Sequence, residues 1–275
     1  MCRVLGVSSS GFYDWIKRKS SSRDMENRGL LEQIEKSFLQ SRQTYGSPRV
    51  TMDLRKVGIS CSENRVARLM KKAGFKGRTR RKFIPRWSAP ATRGVIAPNL
   101  LDRQFEAIRP NEKWVSDITY VWSREGWLYV AVVMDLYSRR IIGWSMHATM
   151  SSQLVLDALN MAVTHRGRPK AVVHHSDQGT QYTSDSFQSA LKSAGLICSM
   201  SRRGNCWDNA AMESFFSTLK LECLYRRSFQ TRSDVRAEVF SFIEGFYNSY
   251  RRHSALGYKS PVEFERQQIS VRRCP

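Results

Sequence analysis

The feature that most limits what this chain can become is a pair of acids within residues 171–220, AVVHHSDQGTQYTSDSFQSALKSAGLICSMSRRGNCWDNAAMESFFSTLK. The apolar, β-rich run Ala171-Val172-Val173 leads into His174-His175-Ser176-Asp177, which places a carboxylate at the tip of a buried strand. Glu213 falls among helix formers, with Ala210, Ala211, Phe215 and Leu219 as the apolar residues and Asp208 or Asn209 near the N-cap. Between Asp177 and Glu213 lie 35 residues. Lys220 comes seven residues after Glu213, two helical turns on, so both side chains leave the helix from one face. A strand-end Asp and a helix Glu, folded together, offer hard oxygen ligands to a divalent metal.

A third carboxylate is available upstream. Asp117 is the only acid in the β-branched and aromatic run Trp114 to Val121, where a charge is otherwise costly. Three acids converging from two strands and a helix make a two-metal site for in-line phosphoryl chemistry, with the ions about 3.5–4 Å apart. The motifs WVSDITY, VVMDLYSRRIIGW, VVHHSDQGTQY, SRRGNCWDNAAMESFFSTLK and YNSYRRHSALGYKSPVEFE span residues 113–265. Together they resemble the DDE catalytic core of bacterial insertion-sequence transposases, in the retroviral-integrase-like superfamily. More narrowly they resemble the OrfB product of insertion sequence family three, and a weaker likeness runs back through residues 1–90. Ser116 stands where that family often has Thr, another small hydroxyl.

The resemblance implies an α/β fold: a ribonuclease-H-like core, a mixed five-stranded sheet with helices, preceded by a small all-α helix-turn-helix domain. It also implies Asp117, Asp177 and Glu213 as catalytic and metal-binding residues, two Mg²⁺ ions with Mn²⁺ able to substitute, and Lys220 at the terminal phosphate or base of a DNA end. Asp135 lies outside that triad and reads as structural or as a hydrogen-bond partner. His147, His174 and His175 are not read as ligands.

Charge points to the same kind of partner. The net charge is +21, with a sequence pI near 10.2, which calls for a polyanion, nucleic acid before membrane. Residues 1–109 carry 24 Lys+Arg against 9 Asp+Glu, and residues 110–275 carry 21 against 15. Attraction thus sits in the front of the chain and the carboxylates in the back. Six cysteines show neither CxxC pairing nor His at zinc spacing, which fits reduced thiols in a cytoplasmic, nucleoid-associated protein. No signal peptide opens the chain, and the longest apolar run, Trp127 to Met134, is far too short to span a bilayer.

In chain order, residues 1–42 read as a partial helix-turn-helix followed by a helical segment. Leu5-Gly6-Val7 would be the turn, Ser8 the N-cap, and Phe12, Tyr13 and Trp15 the packing residues; a short amphipathic helix is the alternative. A module entered partway suits an upstream-frame partner or a frameshift fusion, as the resemblance implies. Leu31, Ile34 and Phe38 form the next stripe.

Residues 43–87 read as a helix-turn-helix domain with a basic arm. Pro48 suits a first turn ahead of Val50, Leu54 and Val57; Ser60 and Glu63 make a capping box; Val66, Leu69, Met70 and Ala73 face inward; and Gly74 stops the helix. Arg65, Arg68, Lys71 and Lys72 lie outside that stripe. The run from Lys71 to Arg86, including Arg78, Arg80, Arg81 and Lys82, holds eight Lys or Arg and no acid. Such a segment should neutralise several phosphates. The functional reading is double-stranded DNA recognition at terminal inverted repeats; the alternative is a solvated basic face.

Residues 88–110 read as an extended linker, 111–225 as the catalytic core and 226–275 as a helical extension with a frayed end from 266. The core should hold strands at 114–122, 127–136, 139–146, 170–175 and 196–200, with helices at 153–164 and 184–193. Gln178 and Tyr182 in the loop after Asp177, and Arg202, Arg203 and Asn205 in the loop before the Glu213 helix, are placed for DNA contact. The expected activity is cleavage and joining of DNA at insertion-sequence ends, by a homo-oligomer synapsing two ends on target DNA. The alternatives are a ribonuclease-H-like nuclease without strand transfer and a non-catalytic DNA-binding regulator.

Overall fold

The computed structural model describes residues 1–17, 20–78, 96–202 and 206–273. The chain divides into two units, Met1–Gly77 and Arg78–Pro275. The first unit contains helices α1 (Ser9–Lys17), α2 (Ser22–Gln40), α3 (Ser47–Lys56) and α4 (Glu63–Lys72). Ser21 and Asp24 cap the start of α2 reciprocally, satisfying backbone donors that the first turn leaves open. Leu30, Ile34 and Phe38 of α2 bury against Val50 and Leu54 of α3 and Val66, Leu69 and Met70 of α4. Each fully buried aliphatic side chain there contributes about 1.5–3 kcal/mol.

Four local expectations change. Leu30, not Leu31, is the core residue, because positions 30, 34 and 38 are the ones that line up one turn apart. Val57 is exposed at the C-cap of α3. The N-cap of α4 is Ser62, which accepts from the Arg65 backbone N–H, so Ser60 and Glu63 form no box. The rings of α1 pack on one another, Phe12 with Tyr13 at 5.6 Å and with Trp15 at 6.5 Å, and no residue of that helix is buried. Gly74, at φ +77°, ends α4 as expected.

The second unit is built on a sheet of β1 (Lys113–Ser123), β2 (Gly126–Asp135), β3 (Arg140–His147), β4 (Val173–Ser176) and β5 (Ile197–Met200), in the order β3-β2-β1-β4-β5. The first three strands run antiparallel, and β4 and β5 add in parallel beyond β1. The helices are α5 (Ser152–His165), α6 (Asp185–Ala194), α7 (Ala210–Glu222), α8 (Arg232–Phe240) and α9 (Pro261–Arg273). This mixed sheet with helices is the ribonuclease-H-like core.

One core cluster gathers Trp114, Ala131, Val133 and Ile142 of the sheet with Leu154, Ala158, Phe187 and Leu191 of α5 and α6. β3 approaches α5 so closely that a Cβ on Gly143 would overlap the Ala158 carbonyl oxygen, and only glycine fits. Helix α8 runs on into a π-helical stretch, Ser241–Asn248, that buries Phe242, Ile243, Phe246 and Tyr247. Asn248 uses both amide atoms on the backbone of Ile141, at 2.9 Å each.

Within the expected extended linker of 88–110, residues 96–110 are irregular, with Leu101 buried and the Leu100 N–H donating to Ser199 Oγ at 2.9 Å. One further expectation is corrected: the stretch from 266, expected to fray, continues α9 to Arg273.

Candidate active site

Asp117 lies on β1 two residues beyond the last position that pairs with β4, which covers only Lys113 to Val115. From Ser116 onward that side of β1 has no strand partner among the described residues. Asp177 follows β4 directly, and its Oδ1 accepts the Gly179 N–H at 2.9 Å. A Cβ on Gly179 would stand 2.9 Å from the same oxygen, so a larger residue there would displace the Asp177 carboxylate. Glu213 sits in the first turn of α7, which packs on β1. Asn209 at its head donates to the Ser116 carbonyl at 3.3 Å. At the other end of α7, Glu222 holds Arg251 through two bonds of 2.7 Å. Both ends of the helix are therefore fixed, and with them Glu213 and Lys220.

Asp117 senses both other acids. Burial pushes its carboxyl well above the usual range, and the charges of Asp177 and then Glu213 add to this; the Ile118 N–H, which it accepts at 2.7 Å, and more weakly Lys220 oppose them. Lys220 is itself lowered by burial and supported by Asp117. Among the described residues, no group of three His, Cys, Asp or Glu side chains stands close enough to hold a metal ion as it is. Three carboxylates whose like charge is only partly offset suit a hard divalent cation in kind and in charge.

His174 and His175 are buried under this edge, His174 Nε2 meeting Ser116 Oγ at 2.7 Å and His175 Nδ1 meeting Ser199 Oγ at 2.9 Å. Burial lowers His174 to about 3 and His175 to about 4, so both stay neutral. His147 pairs with Asp157 at 2.9 Å.

The residues expected at DNA divide into groups. Tyr182 is 2 % exposed, with its ring edge-on to Phe187, so the expected direct DNA contact is corrected. Among the described residues its buried hydroxyl has no hydrogen-bond partner, and it is raised by burial and by the charges of Asp117 and Asp177. Gln178 is partly buried and donates to the Ser201 carbonyl at 2.9 Å.

Arg202 is half-exposed and bound to Asp208 and Asp102, each at 3.0 Å. Arg203 and Asn205 lie outside the described residues, as do Arg80, Arg81 and Lys82. In the first unit Arg68, Lys71 and Lys72 are exposed along α4; Arg78, the first residue of the second unit, is also exposed. Arg65 is tied to α2 through Asn27 at 2.9 Å and Glu26 at 3.1 Å.

Asp208 was missed as anything but a cap. It is buried and collects Arg202, Arg103 and Asn99, which hold its carboxyl far below the ordinary range; it fixes the approach to α7. The signal was weak, a lone acid with one arginine six residues before it and another 105 residues away.

Residues 107–206 match the integrase core domain model, 194–261 match a second integrase core domain model, and 25–83 match an HTH-like domain. Fold and matched domains together define a DNA-binding polynucleotidyl transferase of the integrase-core class. The chain is 44% identical over 98% of its length, and 94% of the relative's, to transposase InsF for insertion sequence IS3A of Escherichia coli (strain K12). It is 40% identical over 96% of its length, and 97% of the relative's, to the insertion element IS600 uncharacterized 31 kDa protein of Shigella sonnei.

The chain belongs to the IS3 family of insertion-sequence transposases. Among solved structures it is similar to the HTLV-2 integrase catalytic core domain in complex with magnesium, at TM-score 0.45 and 16% identity, covering 57% of this chain and 98% of that one. It is also similar to a chain of the simian T-cell lymphotropic virus intasome in complex with PP2A regulatory subunit B56 gamma, at TM-score 0.49 and 17% identity, covering 80% and 70%. Among the described residues no helix is long and apolar enough to cross a membrane.

Proposed function

We propose that this transposase cleaves and joins DNA strands at the ends of its own element, with Asp117, Asp177 and Glu213 as the residues that would hold Mg²⁺ or Mn²⁺. The observation that carries this reading is the position of Asp117, whose carboxyl is burdened by burial and by the charges of both other acids. When bound, a pair of divalent ions would supply Lewis acidity and a water or 3′-hydroxyl nucleophile at neutral pH.

The chain's own residues do the rest. Asn209 and Arg251 keep α7 in place, so that Glu213 and Lys220 face β1. Lys220 offers a cation to the terminal phosphate of a DNA end, and Arg68, Lys71, Lys72 and Arg78 offer theirs to the backbone of the terminal repeat. Holding two ends at once calls for at least two copies of the chain, with an upstream-frame helix-turn-helix protein as a further partner.

The test is incubation of a labelled element end with Mg²⁺, followed by strand transfer from a pre-cleaved end. Asp177→Asn and Glu213→Gln each lower cleavage by about a hundredfold or more, while DNA affinity stays within about twofold. Loss of binding in step with cleavage would overturn the assignment. Cleavage without joining would leave a nuclease.

A further inference from the structure

Three aromatic rings stand in the open on the β1–β2 hairpin, which leads away from Asp117. Tyr120, Trp122 and Trp127 are 55%, 56% and 43% exposed, although rings of this size usually find burial. They form one surface. Tyr120 and Trp127 meet edge-on with centroids 5.0 Å apart, and Trp122 and Trp127 at 4.8 Å. The strand register sets Trp122 opposite Trp127, so these contacts serve the hairpin while much of the ring surface is left uncovered. Lys220 joins the cluster to the acids: its Nζ lies 5.3 Å from the Tyr120 centroid, and its charge acts on Asp117.

The rim of the patch argues for one kind of occupant. Arg124 is exposed beside it, and Arg232 Nε donates to the Trp127 carbonyl at 3.0 Å. Lys220 adds a further cation, and the nearby acid Glu125 accepts from the Arg232 backbone N–H. An apolar protein partner gains nothing from that rim, whereas a nucleotide uses both parts, its base on the rings and its phosphate on the cations. Bases inside a duplex already stack on each other. Only an unpaired base presents its faces.

We propose that Tyr120, Trp122 and Trp127, with Lys220, form a stacking platform for an unpaired base of a DNA strand beside the catalytic acids, so that the protein prefers a frayed end to a blunt one. The proposal deepens the reading of Asp117, Asp177 and Glu213 as the active site, and its test is separate. Binding is measured on the full chain in EDTA, where no cleavage occurs, using an element-end duplex that is either blunt or carries two unpaired terminal nucleotides.

The unpaired end binds about tenfold more tightly. Trp122→Ala and Tyr120→Leu bring that ratio close to one while affinity for the blunt duplex stays within about twofold, and Tyr120→Phe keeps the preference. In the wild type, a short oligothymidylate quenches tryptophan fluorescence, which tests the platform even where a variant fails to fold. Equal affinity of the wild type for both ends, or a preference that survives in folded Trp122→Ala and Tyr120→Leu, overturns the platform. So does self-association that Trp122→Ala abolishes without changing the ratio. Cleavage that persists in Asp177→Asn defeats the active-site assignment and leaves the measured ratio untouched.

Discussion

Two groups of acids sit on the same sheet and are treated in opposite ways. Asp135, at the end of β2, accepts N–H bonds from Asn111 at 3.0 Å and Tyr137 at 3.1 Å, and pairs with Arg166 at 3.1 Å. Arg166 also reaches Glu265 of α9, which takes Arg140 at 2.8 Å and Ser138 at 2.6 Å. Burial pushes Asp135 up to about 6, with Arg166 pulling against it. Burial also pushes Glu265 up, yet Arg166, Ser138 and Arg140 bring it below the usual range. Across β1 the Asp117 carboxyl accepts one N–H bond, from Ile118 at 2.7 Å, yet faces the charges of Asp177 and Glu213 with Lys220 as the weaker opposing charge. Acids that hold the fold together come with their arginines. The acids proposed for chemistry keep a repulsion that something else must relieve.

The largest expected consequence is at the compensated group. Arg166→Met strands Asp135 and Glu265 in the interior and lowers stability by about 3–5 kcal/mol. Urea unfolding measures it, and a loss below about 1 kcal/mol would show that the network is dispensable. His174, next to the second group, predicts a slope with pH. Its folded value of about 3 lies below the unfolded 6.5, so between those limits the unfolded chain binds the extra proton. This contribution to stability is complete above 6.5 and is lost as pH falls toward 3, at about 1.4 kcal/mol per unit. Unfolding at pH 7, 6 and 5 should show it, and His174→Gln should flatten the curve by that amount. The smallest effect has the opposite sign: Asp117→Asn, by removing one repelling charge, raises stability in metal-free buffer by about 1 kcal/mol. A fall would mean that Asp117 is held by favourable contacts.

The sequence made the compensated and uncompensated acids look alike, since Asp117 and Asp135 both interrupt apolar strands. Their difference lies in a partner far along the chain, Arg166, which Asp135 shares with Glu265 and which no local pattern announces. What could be read locally was read well. The strands β1 to β3, the helix carrying Glu213 and the apolar face from Val235 to Tyr247 all follow from local composition and periodicity, and each is in place. Cations were harder, because exposure and pairing are decided in space. Arg202 and Arg65 looked as available as Lys71, yet each is bound to acids on another segment. Tyr182 shared a polar loop with Gln178, and only the packing of Phe187 shows that its ring points inward. The cap of α4 moved from Ser60 to Ser62 because two serines compete within one turn of a helix start.

The claim on which the rest depends is that repulsion among Asp117, Asp177 and Glu213 is there to be relieved by divalent metal. Its most direct test is Mn²⁺ uptake, followed by the loss of the free-ion resonance signal, on the protein bound to an element-end duplex. The account predicts saturable uptake by the wild type and by Arg140→Gln, which touches only the compensated group, and none above the DNA-alone level by the variant carrying Asp117→Asn, Asp177→Asn and Glu213→Gln. Equal uptake by that triple variant would contradict it.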